Sequence, residues 1–96
     1  MIEVEVYYRL NPGTAKTFLD KLSQIRMREL TRAEPGNLQY DYFYDAQDEN
    51  TVLLLEKWAN QELLTAHEHS DHFYRLPWAK EGCVLSIEKI RHDLPD

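Results

Sequence analysis

The densest chemistry in the chain lies in the run His67-Glu68-His69-Ser70-Asp71-His72. Imidazoles and carboxylates this close together offer ligands for a zinc-like metal or a base for proton transfer. Taken alone, H-x-H-x-D-H has the ligand types of a di-zinc hydrolase. Such a centre also needs His and Asp ligands far downstream, and the only other histidine is His92, near the terminus. On a helix, moreover, His67 and His69 stand about 200° apart. The expectation is therefore that no metal is held. With Asn60 as helix cap, His67 shares the inward face with Leu63 and Leu64, while Glu68 and His69 face solvent. An inward histidine is either a hydrogen-bonded structural group or a base, and both readings stay open.

Upstream, Glu56 and Trp58 alternate with Val52 and Leu54 on one strand face. A carboxylate on an apolar face must find a partner or shift its pKa upward, so Glu56 reads as a buried hydrogen-bonding group or as one that orients a ligand. Trp58 is either core packing or the wall of an aromatic pocket. Tyr8, Tyr40, Tyr42 and Tyr44 recur at strand spacing. Phenols combine an apolar body with a polar tip, which suits a cavity for a flat ring and equally suits a sheet-to-sheet interface. The chain has only three glycines, and they form neither a phosphate-cradling loop nor a dinucleotide fingerprint. No nucleophile stands in the local context of a hydrolase triad.

The elements that must position these groups are legible in the hydrophobic pattern. Ile2 to Leu10 alternates strictly, which predicts a half-buried strand. After Asn11-Pro12-Gly13, Thr14 stands at a helix N-cap position, and Phe18, Leu19, Leu22, Ile25 and Leu30 follow near helical period, predicting one helix from Ala15 to Arg32. Glu34-Pro35-Gly36 ends it, because proline disfavours helical geometry in the residue before it. Leu38–Tyr44 and Thr51–Trp58 predict a hairpin around the polar turn 45–50. Asn60 caps a helix through His67, and Ser70 caps a second segment that Pro77 breaks or bends. Cys83 to Arg91 predicts a last strand, with a loose tail from His92. The order β-α-β-β-α-β is that of the split ferredoxin-like unit, an α+β antiparallel sheet, and it occupies residues 1–96 as one domain.

Composition bounds the partners. With 17 acidic and 11 basic residues the formal charge is −6, a poor match for a phosphate backbone, so no nucleic-acid partner is expected. The N-terminus lacks the pattern of a secretory signal and no apolar stretch approaches a membrane span, which predicts a cytoplasmic chain without a membrane partner. The single cysteine, Cys83, reads as a small buried hydrophobe. A 96-residue domain buries only about 60–65% of its unfolded surface. Because Val52-Leu53-Leu54-Leu55 is apolar on both faces, a homodimer joined sheet to sheet is predicted.

The succession from Glu34 to Phe73 (a Pro-Gly turn, two strand-like runs, E-x-W at Glu56–Trp58, then A-H-x-x-S-x-H-F from Ala66) resembles the antibiotic biosynthesis monooxygenase family in its quinol-oxygenase-like branch. The resemblance implies a dimeric α/β barrel and a cofactor-independent monooxygenase that oxidises a small aromatic or quinol-like substrate with O2. It implies His67 as base or anchor, with Tyr8, Tyr40, Trp58, His72 and Phe73 as pocket wall and Glu56 as orienting group. Family relatives that degrade haem depend on an asparagine in the first strand; residues 1–10 contain none, so haem is not carried over. Other relatives process a phosphorylated signal molecule, for which Arg26, Arg28 and Arg75 are the candidate anion ligands here. A non-catalytic binding module is the remaining alternative.

Overall fold

The alternation of the first strand decides which side of the sheet is covered. The computed structural model describes residues 1–96. Its elements are β1 (Ile2–Leu10), α1 (Ala15–Gln24), α2 (Met27–Arg32), β2 (Asn37–Tyr44), β3 (Thr51–Trp58), α3 (Gln61–His67), α4 (Leu76–Lys80) and β4 (Val84–Asp93), with a 3-10 turn at Phe73–Arg75. The strands form one antiparallel sheet in the order β2-β3-β1-β4, the ferredoxin-like topology expected from the pattern. Ile2, Val4, Val6 and Tyr8 stand opposite Trp58, Glu56, Leu54 and Val52. All eight are buried, and with Phe18, Leu22, Met27, Leu64 and Leu76 they form the layer between sheet and helices.

The sequence predicted a single helix over 15–32; the structure breaks it. Arg26 adopts a left-handed conformation (φ 55°) between α1 and α2. On one continuous helix Ile25 and Met27 would point about 200° apart. The break lets both bury against the sheet. Thr14 occupies the N-cap position of α1 without capping through its side chain; its hydroxyl instead donates to the carbonyls of Asn11 and Cys83. Cys83 is buried, as expected.

β2 also departs from the simple pattern. A register irregularity between Asn37 and Gln39 turns Leu38 outward, leaving it 50% exposed, and Tyr44 at the strand end is 60% exposed. Asn37 fills the irregularity, donating to the carbonyls of Gln39 and Lys57 and accepting from Arg32. The tail is more ordered than expected. β4 runs on to Asp93, and Leu94 exchanges hydrogen bonds with Met1 in both directions.

The opposite face of the sheet carries no helix. Its centre is apolar: Tyr7 stands opposite Leu53, and Leu53 opposite Phe43, with Leu55 and Ile90 on either side of Glu5. Phe43 is 46% exposed. No helix is long and apolar enough to cross a membrane.

Candidate functional site

The site is assembled by three turns that the sequence encodes locally. Asn60 Oδ1 accepts from the Leu63 backbone N–H at 3.0 Å, so α3 starts where expected and its last residue, His67, points at the sheet. At the far end, Ser70 Oγ donates to the His67 carbonyl (2.7 Å) and accepts from the Phe73 N–H (3.3 Å), folding the chain back so that His72 and Phe73 return beside His67. The third turn is Glu34-Pro35-Gly36. Gly36 has φ +78°, and a Cβ there would collide with the Leu63 side chain, so only glycine lets the turn close against α3. The turn brings Glu34 into reach of both histidines.

His67 is 2% exposed and surrounded by rings. Trp58 lies 4.8 Å away between centroids, Phe73 at 5.3 Å edge-on, His72 at 5.8 Å and Tyr40 at 6.0 Å. Its Nδ1 meets Glu34 Oε2 at 2.6 Å, and His72 Nε2 meets the same oxygen at 2.9 Å. The proton positions follow from the network. The Ser70 hydroxyl hydrogen goes to the His67 carbonyl, so at His72 Nε2, 3.2 Å away, Ser70 Oγ accepts; that nitrogen therefore carries the hydrogen. Glu34 is an acceptor for both rings. With its hydrogen on Nδ1, His67 keeps a lone pair on Nε2, the nitrogen left for the cavity that His67 lines.

Two adjoining cavities share Glu56, His67, Phe73 and Lys89. The larger, about 220 Å3, runs out past Leu64, Gln61 and Arg91. The smaller, about 40 Å3, reaches in to Tyr8, Tyr40, Leu54 and Lys80. Glu56 Oε1 accepts from Trp58 Nε1 at 2.7 Å. Burial pushes the Glu56 carboxyl above its ordinary range, against the opposing pull of the Trp58 bond and of His67 and Lys89. Burial likewise holds the phenols of Tyr8, Tyr40 and Tyr42 far above their ordinary range, so they stand as neutral donors and acceptors. Tyr42 OH lies 3.2 Å from Tyr40 OH.

Of the residues singled out in the sequence, Tyr8, Tyr40, Glu56, His67 and Phe73 line the inner cavity. Trp58 and His72 do not border either cavity. Trp58 is fully buried behind His67 and holds Glu56, and His72 holds Glu34. Both support the site rather than wall it. The four tyrosines of the strand pattern lie on the helix-covered face, while Tyr7 lies on the open one. His69 turns outward onto the Thr65 carbonyl, as helical spacing requires. The residue that sequence reading missed is Glu34, taken there only as the end of a helix; the signal was the carboxylate in Glu34-Pro35-Gly36.

Glu34, His67 and His72 are also the group best placed to hold a cation, since their ligand atoms lie within 4.8 Å of one another. The contacts of 2.6 and 2.9 Å are those of hydrogen bonds onto one shared carboxylate oxygen, and a metal would have to displace both protons and spread the three groups. The largest depression on the molecule, about 500 Å3, lies elsewhere, beyond Tyr42, between α1, α2 and β2. Arg26 and Arg28 border it, engaged by Glu29 and Asp41. They do not reach the His67 cavity, and neither does Arg75, which is exposed.

The family model for antibiotic biosynthesis monooxygenases matches residues 1–76, which include every residue of the Glu34–His67–His72 network. The chain belongs to the antibiotic biosynthesis monooxygenase family. A full-length relative of this antibiotic biosynthesis monooxygenase domain is the Bacillus subtilis (strain 168) protein named "Putative monooxygenase YcnE", 34% identical over 97 residues and covering all of both chains. A crystal structure described as an antibiotic biosynthesis monooxygenase superposes with a TM-score of 0.85 at 26% identity, covering 100% of each chain. The Pseudomonas aeruginosa protein PA3566 shares the fold, with a TM-score of 0.85 at 23% identity over 99% of this chain and 94% of its own. Family and relative support a monooxygenase-like role in general, exercised on a small molecule.

Proposed function

We propose that the chain is a cofactor-independent monooxygenase that oxidises a quinol-like aromatic substrate with O2 in the cavity between sheet and helices. The observation that carries this reading is the orientation of His67 by Glu34, which leaves Nε2 without a protein partner in a residue that borders a cavity with Phe73, Leu64, the phenols of Tyr8 and Tyr40, and charged side chains. A carboxylate on Nδ1 fixes the tautomer and stabilises the imidazolium that forms when Nε2 takes a proton.

A substrate hydroxyl placed against Nε2 loses its proton to His67. The electron-rich phenolate passes one electron to O2, giving superoxide and a phenoxyl radical, which combine at a ring carbon, and the proton held on His67 converts the resulting peroxide anion to a hydroperoxide. Elimination of water then leaves the oxidised ring: hydroquinone plus O2 gives hydroxybenzoquinone plus water. The protein binds the ring, removes the proton and excludes water, which strengthens each of these interactions. Phe73 and Tyr40 contact the ring face, and Tyr8 and Glu56 offer polar partners to its substituents.

We place the same chain in a homodimer joined through the open sheet face, where the exposed Phe43 and half-buried Tyr7, Leu53 and Leu55 would lie against a second copy. Charges of both signs, including Glu3, Arg9, Asp41 and Lys57, surround this apolar centre on the same face.

The test is oxygen uptake by purified protein given hydroquinone, with spontaneous oxidation subtracted. Catalysed uptake with hydroxybenzoquinone as product is expected. Uptake no faster than the background would remove the monooxygenase reading and move isomerase and binding roles ahead of it.

A further inference from the structure

The His67 cavity is bordered by two cations whose side chains nothing in the fold engages. Lys80 closes α4, and Lys89 stands on β4 opposite Val6. Both border the inner cavity with Tyr8, Tyr40, Glu56 and His67, and Lys89 also borders the outer one. Of the other basic residues only Arg75, exposed and outside both cavities, likewise lacks a side-chain partner; Arg9, Lys16, Arg26, Arg28, Lys57 and Arg91 sit in ion pairs, and Lys21 and Arg32 donate to backbone carbonyls. The side chains of Lys80 and Lys89 take part in no hydrogen bond or ion pair. The carboxylate nearest to hand, Glu56, is occupied by Trp58 Nε1 and stays outside ion-pair distance of Lys89.

Lys80 is half-buried and Lys89 exposed, and two like charges on one cavity wall repel unless something negative lies between them. That the two ammoniums feel one another is visible at Lys80, whose pKa is pushed down first by burial and then by Lys89. The carboxylates on these walls are Glu56 and, in the outer cavity, Glu68, and neither forms an ion pair with Lys80 or Lys89. Both lysines lie beyond residues 1–76 matched by the family model.

We propose that Lys80 and Lys89 form an anion-holding rim, and that the molecule bound in the cavity is an aromatic ring carrying a carboxylate or phosphate group. The ring lies against Phe73 and His67, and the anionic group reaches the two ammoniums. The inference rests on the quinol reading only for the choice of ring.

Anaerobic calorimetric titration separates the rim from the chemistry. The probes are hydroquinone, 2,5-dihydroxybenzoate and 4-hydroxyphenyl phosphate. Wild type should bind one of the two anionic rings at least about tenfold more tightly than hydroquinone, the gain of one charge-assisted contact. Whichever of them binds more tightly names the group. The gap should shrink between about 0.05 M and about 0.5 M salt. The double variant Lys80→Ala/Lys89→Ala should lose the gap while keeping its affinity for hydroquinone, and Lys89→Arg should retain it. Equal binding of neutral and anionic rings by wild type, no detectable binding of either anionic ring, or a gap that survives in the double variant would each overturn the rim. A rim confirmed by binding in a protein that consumes no oxygen would remove the monooxygenase reading alone. Hydroquinone turnover without any preference for anionic rings would remove the rim alone.

Discussion

Glu34 and His67, 33 residues apart in the chain, meet at 2.6 Å between a carboxylate oxygen and Nδ1, and this one contact ties the end of the first helical segment to the end of α3. It is closed from both sides. Gly36 packs against Leu63 and so brings the Glu34 turn up to α3, and Ser70 folds His72 back onto the same carboxylate. The geometry gives His67 a defined tautomer beside the cavity.

If Glu34 positions His67, Glu34→Gln should lower kcat for quinol oxidation by at least about tenfold with KM little changed, since the amide accepts a hydrogen bond but does not stabilise an imidazolium. Steady-state kinetics on hydroquinone gives the split. A rise in KM at constant kcat would make Glu34 a determinant of pocket shape instead.

Glu56 makes a prediction about pH. Burial raises its folded-state pKa, so the folded chain keeps this proton to higher pH than the unfolded one. The resulting stabilisation is complete below the unfolded value near 4.5 and is lost as pH rises through the raised folded value. Glu56→Gln keeps an oxygen for Trp58 Nε1 and cannot ionise. Relative to wild type it should therefore gain stability in urea unfolding over the pH window that begins at 4.5 and extends upward. A difference independent of pH in this window would show that the carboxyl is not held up by the fold.

Much of this arrangement could be read from the sequence, and the parts that could not share one cause. Strict alternation in Ile2–Leu10 and the polar 45–50 turn fixed the strands because period two leaves a single choice of buried face. Asn60 and Ser70 act through neighbours within three residues, so their caps were visible too. Helical period alone could not show the break at Arg26, since only the finished sheet requires Ile25 and Met27 to point the same way. Glu34 and the Lys80–Lys89 rim escaped for the same reason. Each acquires its meaning from a partner more than thirty residues away or on a different element. Trp58 was placed on the correct face, but which of two rings stands in front depends on how α3 docks.

Thr31 is a test of packing away from the site. It is fully buried and its Oγ1 has no hydrogen-bond partner. Thr31→Val preserves the branched shape and removes the unpaired hydroxyl, so it should stabilise the fold by about 1 kcal/mol. Thermal unfolding should shift upward by roughly 4–8 °C. A lower midpoint would mean that the hydroxyl has a partner in solution.

The open sheet face predicts a dimer. Sedimentation at micromolar concentration should show twice the 11.4 kDa chain mass, and an interface of more than about 1,200 Å2 in total is needed for that stability. Phe43→Lys, at the exposed apolar residue of edge strand β2 on this face, should shift the equilibrium to monomer. A stable wild-type monomer at this concentration would contradict the sheet-to-sheet assembly.

The most direct measurement is oxygen uptake with hydroquinone by wild type and His67→Ala, with the integrity of the variant checked by its unfolding transition. A base of this kind contributes about 100- to 10,000-fold. The proton-abstraction mechanism predicts that His67→Ala loses at least about 100-fold in kcat/KM while remaining folded, and that His72→Ala, which still leaves Glu34 on Nδ1, loses much less. A folded His67→Ala protein within about threefold of wild type would contradict it and leave His67 as a structural residue.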